Sequence, residues 1–198
     1  MTKELVISYY NEDLTWLNKI NDYKITVYNK SNTDILNTIK LDNVGREMHT
    51  YFHHIVNNYN SLSDWVFFTQ ANPFDHVENY DWLLSAFPKS LIESKLNTDD
   101  CHFFSNGMFK NYLVSQSNGS PNHVPVLNID TLWSSLFTSQ PSGVYPFVAG
   151  CLFCVTKEQI RMRDISFYEK CKKITEDREQ SPWEFERMMF YVFNKNVT

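Results

Sequence analysis

Amide, carboxyl and imidazole side chains cluster directly after an apolar run, Trp65–Phe68, in the first half of the chain. The run is aromatic and β-branched, which is typical of a strand buried on both faces, and Pro73 ends such a strand because it has no N–H to donate. Ligands of open α/β sheets bind at the carboxyl ends of the strands, so we expect a binding site here. Its candidate residues are Gln70, Asn72, Asp75 and His76.

Polar residues also follow two strands that are predicted nearer the start of the chain, over Glu4–Tyr9 and Tyr23–Tyr28. A polar turn and a short helix come after the first of them, which is the opening of an α/β unit. We therefore expect polar side chains at the carboxyl ends of three strands. Those that follow the first two strands are Tyr10, Asn11, Asn29 and Lys30.

A helix is predicted from Val44 onward, because apolar residues recur there at three- and four-residue intervals. Gly45 lets backbone N–H groups approach an anion at the first turn, and Arg46 adds a guanidinium group suited to phosphate. A helix start with a solvated polar face explains the same residues. The sequence leaves both interpretations open.

Further titratable side chains lie on predicted helices. His49 and His53 have the i, i+4 spacing of a metal-binding pair, but the sequence offers no evident third ligand. Glu78 and Asp81 lie on one face of a helix predicted over Val77–Phe87, where a solvated face is the simpler explanation.

Glu186 precedes Arg187 on a helix predicted over Pro182–Phe193. Its neighbours are largely apolar, so we expect partial burial, which would raise the pKa of the Glu186 carboxyl group unless a cation held it ionised. A surface ion pair with Arg187 is the alternative.

The rest of the pattern predicts one α/β domain over residues 1–198, and whether that domain is part of a longer protein stays open. A second strand buried on both faces is predicted over Phe147–Val155, with Gly150 allowing a close backbone approach. The segment Ser105–Pro125 is rich in turn formers and is predicted to be a loop, either a lid or a solvated excursion.

Composition narrows the class of protein. The formal charge is −5, which argues against nucleic acid as a partner, because such proteins present a basic face. No apolar run approaches the ~20 residues of a membrane helix, and the start of the chain lacks the pattern of a signal peptide. The four cysteines are predicted to be buried free thiols, which suits the cytoplasm, or the host cytoplasm if the protein is viral.

Several blocks of the sequence, in this order, together resemble a family of glycosyltransferase-like domains that has long been catalogued without an assigned function. The family occurs in bacteria and fungi and includes capsid-glycosylating enzymes of large algal viruses. The resemblance covers nearly the whole chain. Its blocks are VISYYNEDLTWL, VYNKS, NVGREMHTYFHHIVNNY, DWVFFTQANPFDH, GCLFCVTKEQIRMR, FYEK and WEFERMMFYVF.

The resemblance implies a GT-A-like single domain, with a mixed, mostly parallel central sheet flanked by helices. It implies a hexosyl- or deoxyhexosyltransferase that uses a nucleoside diphosphate sugar, expected to be uridine-linked, and a glycan or glycoprotein acceptor. By the same analogy Arg46 would approach the diphosphate, with Asn29 and Lys30 nearby. The base and ribose would lie against Ser8, Tyr9, Tyr10 and Asn11.

The sequence departs from a typical GT-A enzyme where a D-x-D motif after the central strand would bind Mn²⁺ or Mg²⁺, because it has Gln70-Ala71-Asn72 there. Amide oxygens are weaker ligands than carboxylates for a hard divalent cation. Asp75 and His76 are the expected replacement metal ligands. In the alternative, the phosphates are held without a metal by Arg46, Lys30 and backbone N–H groups.

Transfer also needs a general base, or a group that stabilises an oxocarbenium-like state. The carboxyl candidates are Asp75, Asp81 and Glu186, with Glu78 beside them. Two other functions stay open. One is a non-catalytic nucleotide- or sugar-binding module, and the other is a metal-dependent hydrolase that would use His49, His53, His76 and Asp75.

Overall fold

The computed structural model describes residues 1–89, 96–98, 100–104, 113–115, 127–141, 144–194 and 196–197. Nine strands and six α-helices are assigned in these residues. The strands are β1 (Lys3–Tyr9), β2 (Lys24–Asn29), β3 (Ile39–Lys40), β4 (Trp65–Gln70), β5 (Leu96–Thr98), β6 (Cys101–Phe104), β7 (Leu113–Ser115), β8 (Val144–Pro146) and β9 (Leu152–Thr156). The helices are α1 (Arg46–Asn58), α2 (Tyr80–Ala86), α3 (Ile129–Leu136), α4 (Lys157–Ile160), α5 (Ile165–Asp177) and α6 (Ser181–Val192).

The main sheet of the described residues has seven strands in the order β3-β2-β1-β4-β9-β6-β5. β1 lies between β2 and β4 and runs parallel to both, with Val6 opposite Thr26 of β2 and Phe68 of β4. β9 is antiparallel to β4, and β6 is antiparallel to β9, so β6 points the same way as β1. Five of the seven strands therefore run in one direction. The predicted α/β fold with a mixed, mostly parallel sheet is confirmed and is consistent with a GT-A-like domain.

Side chains that alternate along the central strands build a core on each face of the sheet. Val6 and Phe68 point into the larger core, which contains Phe52 of α1 and Phe185 of α6. Their neighbours in the strands point to the opposite face, where Leu5, Ile7 and Phe67 pack with residues of α2. Burial on both faces confirms the prediction made from the apolar run of β4, and the residues of β9 are buried on both faces as well.

Some predicted boundaries differ from the structure. The strand expected over Phe147–Val155 begins only at Leu152, because Gly150 and Cys151 have positive φ angles of 69° and 46° and form a short 3-10 turn before it. Most of the loop expected over Ser105–Pro125 lies outside the described residues.

All four cysteines are buried free thiols, as predicted. Within the described ranges, the structure contains no helix with the length and apolar character needed to cross a membrane.

Candidate functional site

A cleft of about 340 Å³ opens at the carboxyl edge of the sheet, where β1 and β4 end. After β1 the chain builds β2 and β3 on one side, and it then returns to place β4 on the other side of β1. Such a change of direction leaves a crevice between the two strand ends, which is where open α/β sheets bind ligands. The cleft is lined by Ser8, Tyr9, Tyr10, Glu12, Lys30, Asn43, Arg46, Glu47 and Gln70.

The turn after β1 is closed by Glu12. Its carboxylate accepts hydrogen bonds from the backbone N–H groups of Tyr10 and Asn11, at 2.7 and 3.0 Å. Tyr10 presents a half-exposed aromatic ring to the cleft, whereas Asn11 is not among its lining residues. Inside the cleft, the Ser8 hydroxyl is 2.9 Å from that of Thr50 on α1, which fixes the end of β1 to the helix.

Asn29 is the last residue of β2 and Lys30 follows it; both are buried, and their side chains have different partners. The Asn29 amide donates to the carbonyl of Thr33 and accepts from Ser31, so it stabilises its own turn and does not line the cleft. The Lys30 ammonium group donates to the backbone carbonyls of Val44 and Arg46. Burial lowers the pKa of Lys30 to about 8 against the opposing effect of nearby carboxylates.

Arg46 is the first residue of α1, and the turn that leads into it is unusual. Gly45 and Arg46 both have left-handed φ angles, 58° and 47°. A Cβ atom at Gly45 would lie 2.5 Å from the carbonyl oxygen of Thr175, so a larger residue does not fit. The Arg46 side chain is 58% exposed, with its guanidinium carbon 5.2 Å from the centroid of the Trp183 ring. A cation at the amino end of a thirteen-residue helix, where the helix dipole also favours anions, suits a phosphate group.

Two carboxyl groups lie near Arg46. Glu47 lines the cleft with its carboxylate 3.6 Å from Nε of Arg46. Glu186 is 13% exposed and accepts a hydrogen bond from the backbone N–H of Gly150 at 3.1 Å. Burial, followed by the negative charge of Glu47, raises the pKa of Glu186 to about 8.

His76 belongs to the same neighbourhood. A Cβ atom at Gly150 would lie 2.2 Å from its Cδ2 atom, so the imidazole packs directly against that glycine. Burial lowers the pKa of His76, and the charges of Asp75 and Glu47 oppose this shift. The fold thus brings together residues from four separated segments around Arg46 and Glu47.

Glu47 was not singled out from the sequence. An acidic residue in the first turn of a helix is usually explained by its interaction with the helix dipole. Glu47 therefore does not, by its type and its place in the first turn alone, indicate a functional role. The signal that could have identified it is its position directly after Gly45 and Arg46, the pair expected to face an anion. Its burial at 8% exposure follows only from the packing of α1 against the sheet.

Most of the other residues that the sequence suggested for the site do not line the cleft. Gln70 lines the cleft, but Asn72, Asp75 and His76 are not among its lining residues. Asp75 is exposed on a 3-10 turn, and Asn72 is partly buried just before it. Asp81 forms an ion pair with Lys19 at 3.3 Å, outside the cleft lining.

The expected metal ligands do not form a complete cage by themselves. Across the described part of the chain, no three His, Cys, Asp or Glu side chains converge as a metal site would require. His49, half of the histidine pair, is directed at Glu176, with 3.3 Å between its Nε2 and the carboxylate. The convergence that a metal-dependent hydrolase would need, of His49, His53, His76 and Asp75, is therefore absent among these residues.

A comparison with protein-family models gives one match, to a family described as "Protein of unknown function (DUF3431)", over residues 5–197. A search of curated proteins gives no significant match. The matched range includes every residue of the cleft described above. The chain therefore belongs to the DUF3431 family.

Proposed function

We propose that this protein is a glycosyltransferase that binds a nucleoside diphosphate sugar, with uridine as the base, in the cleft between β1 and β4. The observation that carries the proposal is the position of Arg46, at the amino end of α1 and on the wall of a cleft at a topological switch point. A diphosphate suits this position, because guanidinium N–H groups and the helix dipole both favour phosphate oxygens. The acceptor would be a glycan or a glycoprotein.

A divalent cation fits this donor set. The Lys30 ammonium group already donates hydrogen bonds to backbone carbonyls. Among the described residues, Arg46 is therefore the cleft-lining cation that is available to bind the diphosphate. Two carboxylates, Glu12 and Glu47, line the same cleft and would repel a bare diphosphate. Mg²⁺ and Mn²⁺ are commonly held by one or two carboxylates together with phosphate oxygens and water, which needs no protein cage.

Glu47 is the proposed protein ligand of such a cation because it lines the cleft, whereas Asp75, the ligand expected from the sequence, lies outside that lining. When bound, the cation would supply charge stabilisation for the leaving diphosphate. Gln70, at the end of β4, is available to hydrogen-bond the donor because its side chain lines the cleft.

The carboxyl group of Glu186 lies close to Glu47 and can hold a proton at neutral pH. With a pKa of about 8, its carboxyl group is largely protonated at neutral pH. A protonated Glu186 can donate a hydrogen bond and keeps the negative charge near the diphosphate low. The base that accepts the proton of the acceptor hydroxyl is then better sought in a carboxylate such as Glu47 or Asp75.

Calorimetry with uridine diphosphate tests the proposal, with Mn²⁺ in one arm and a chelator in the other. We expect binding that Mn²⁺ strengthens and that Arg46→Gln weakens by roughly tenfold or more, as for the loss of a charged hydrogen bond. Arg161→Gln is a matched control, because Arg161 is exposed and donates only to the carbonyl of Tyr59. If wild-type protein bound no nucleotide in either arm, the proposal would be wrong.

A non-catalytic nucleotide-sugar-binding module is the second candidate, favoured by the amides Gln70 and Asn72 at the position where a typical GT-A enzyme has the carboxylates of its D-x-D motif. Slow hydrolysis of the donor separates the two functions. A transferase is expected to release uridine diphosphate from UDP-sugars in the presence of Mn²⁺, and a binding module is expected to leave them intact.

A further inference from the structure

The side chain of Lys30 lies beneath the turn that begins α1. It is 5% exposed, and its Nζ atom donates to the carbonyl of Val44 at 2.5 Å and also to the carbonyl of Arg46. Its backbone N–H donates to the carbonyl of Tyr9 at 2.9 Å. Lys30 therefore connects the end of β1 to the start of α1 through both its backbone and its side chain.

The turn that Lys30 holds is strained. Arg46 has a left-handed φ angle of 47°, a conformation that is unfavourable for a residue with a Cβ atom. The two carbonyls bound by the ammonium group belong to Val44 and Arg46, so they flank Gly45 on both sides. Hydrogen bonds from a buried cation are strong enough to offset such a cost.

The same turn sets the direction of the Arg46 side chain. From this backbone conformation the guanidinium group reaches the Trp183 ring on α6 and the carboxylate of Glu47. If the turn relaxed to ordinary helical angles, the side chain would leave from a different direction. The position of the Arg46 side chain, which is proposed to bind phosphate, thus depends on the hydrogen bonds that Lys30 donates to the turn.

We propose that Lys30 is a positioning residue of the cleft, whose ammonium group holds the Val44–Arg46 turn and so aims Arg46, without binding the ligand itself. This differs from the role of a lysine that contacts phosphate, which the position of Lys30 after β2 also suggests. Its effect on ligand binding rests on the proposed function, whereas its effect on the turn does not.

A double-mutant cycle on uridine diphosphate affinity separates the two roles. Lys30→Met keeps the aliphatic stem and removes the donors, and we expect it to weaken binding by about tenfold, as Arg46→Gln does. If Lys30 acts through Arg46, the double variant should bind no more weakly than Arg46→Gln alone. Additive losses would show a direct contact with phosphate and overturn the proposal.

Hydrogen exchange gives a readout that needs no ligand. We expect Lys30→Met to speed exchange of the amides in residues 45–50, where His49 N–H donates to the Gly45 carbonyl, and Arg46→Gln to leave them nearly unchanged. Lys40→Met is the matched control, because Lys40 also donates to a backbone carbonyl, that of Ser31, but away from the cleft lining.

A negative result for the proposed function can be distinguished from a negative result for the positioning role of Lys30. If wild-type protein bound no nucleotide, the proposed function would fail, and exchange in residues 45–50 would still test Lys30. Unchanged exchange in Lys30→Met would refute the positioning role. Lys30→Gln, which retains a donor, replaces the methionine variant if that variant does not fold, and we expect a smaller increase in exchange.

Discussion

The carboxyl group of Glu186, on α6, accepts a hydrogen bond from the backbone N–H of Gly150, at 3.1 Å, in the turn before β9. His76 packs on the same glycine so closely that a Cβ atom there would lie 2.2 Å from its Cδ2 atom. Three segments that are far apart in sequence thus meet at one residue without a side chain. The close packing at Gly150 fixes the positions of the Glu186 carboxyl group and the His76 imidazole.

Gly150→Ala should destabilise the protein by about 1–3 kcal/mol, because its φ angle is 69° and the new methyl group would overlap the His76 ring. Urea unfolding measures the loss. Gly45→Ala is the matched control: it also meets a positive φ angle and close neighbours, but none of them is His76. Only Gly150→Ala should shift the NMR resonances of the His76 ring, and an unshifted ring would contradict the packing described here.

Glu186→Gln should change how stability depends on pH. The folded-state pKa of Glu186, about 8, lies above the value of an unfolded glutamate, ~4.3, so the folded state holds this proton over a range in which the unfolded chain has released it. The contribution of Glu186 to stability is therefore complete below that unfolded value and is lost as the pH rises toward 8.

We expect the free energy of unfolding of Glu186→Gln, relative to wild type, to increase between pH 5 and pH 8. Urea titrations across that range provide the measurement. Asp177→Asn is the control, since Asp177 is an exposed carboxylate paired with Lys173 at 2.9 Å. Parallel pH profiles for wild type and Glu186→Gln would mean that Glu186 is ionised in the folded protein.

His54 should make the protein sensitive to mild acid. Its Nδ1 atom is 3.1 Å from the Tyr28 hydroxyl and its Nε2 atom is 3.7 Å from the carboxylate of buried Glu4. Burial, opposed by the charge of Glu4, lowers the pKa of His54 to about 4. The stability it contributes is present above the unfolded value of ~6.5 and is lost as the pH falls toward 4.

Between pH 7 and pH 5 this single group should account for about 2 kcal/mol of lost stability, which His54→Gln should abolish. Urea unfolding at the two pH values measures it. His53→Gln is the neighbouring control, because His53 is less buried and should give a smaller difference. An equal acid sensitivity in His54→Gln and wild type would place the responsible group elsewhere.

Glu47→Gln should lower donor hydrolysis or transfer by roughly 10²-fold or more if Glu47 serves as base or cation ligand. Asp81→Asn should have little effect, because Asp81 is paired with Lys19 outside the cleft lining. Release of uridine diphosphate from the donor measures both. The reverse ranking would favour the role that the sequence suggested for Asp81, and Asp75→Asn shows whether the cation depends on that exposed carboxylate.

Much of the site could be placed from the sequence because it follows strands. Polar residues after a buried parallel strand must emerge at one edge of the sheet, so Tyr10, Lys30 and Gln70 were expected near one another, and they line one cleft. Gly45 and Arg46 were found by a similar rule, since a glycine before a helix marks an exposed amino end.

Side-chain partners could not be placed in this way. Asn29 and Lys30 lie at the carboxyl end of β2 as expected, yet Asn29 stabilises its own turn and Lys30 binds carbonyls at the start of α1. Glu47 has the sequence context of an ordinary helix-dipole residue, and only burial in the cleft distinguishes it.

The sequence by itself determined the α/β class, the strands buried on both faces and the edge at which the cleft opens, because these follow from local periodicity and chain direction. The tertiary structure alone decided which groups meet there. Glu186, Gly150, His76 and Glu47 come from distant segments, and the packing of α1 and α6 on the sheet sets their separations and the pKa of Glu186. Burial and electrostatic coupling depend on distances through space, which a linear pattern does not contain.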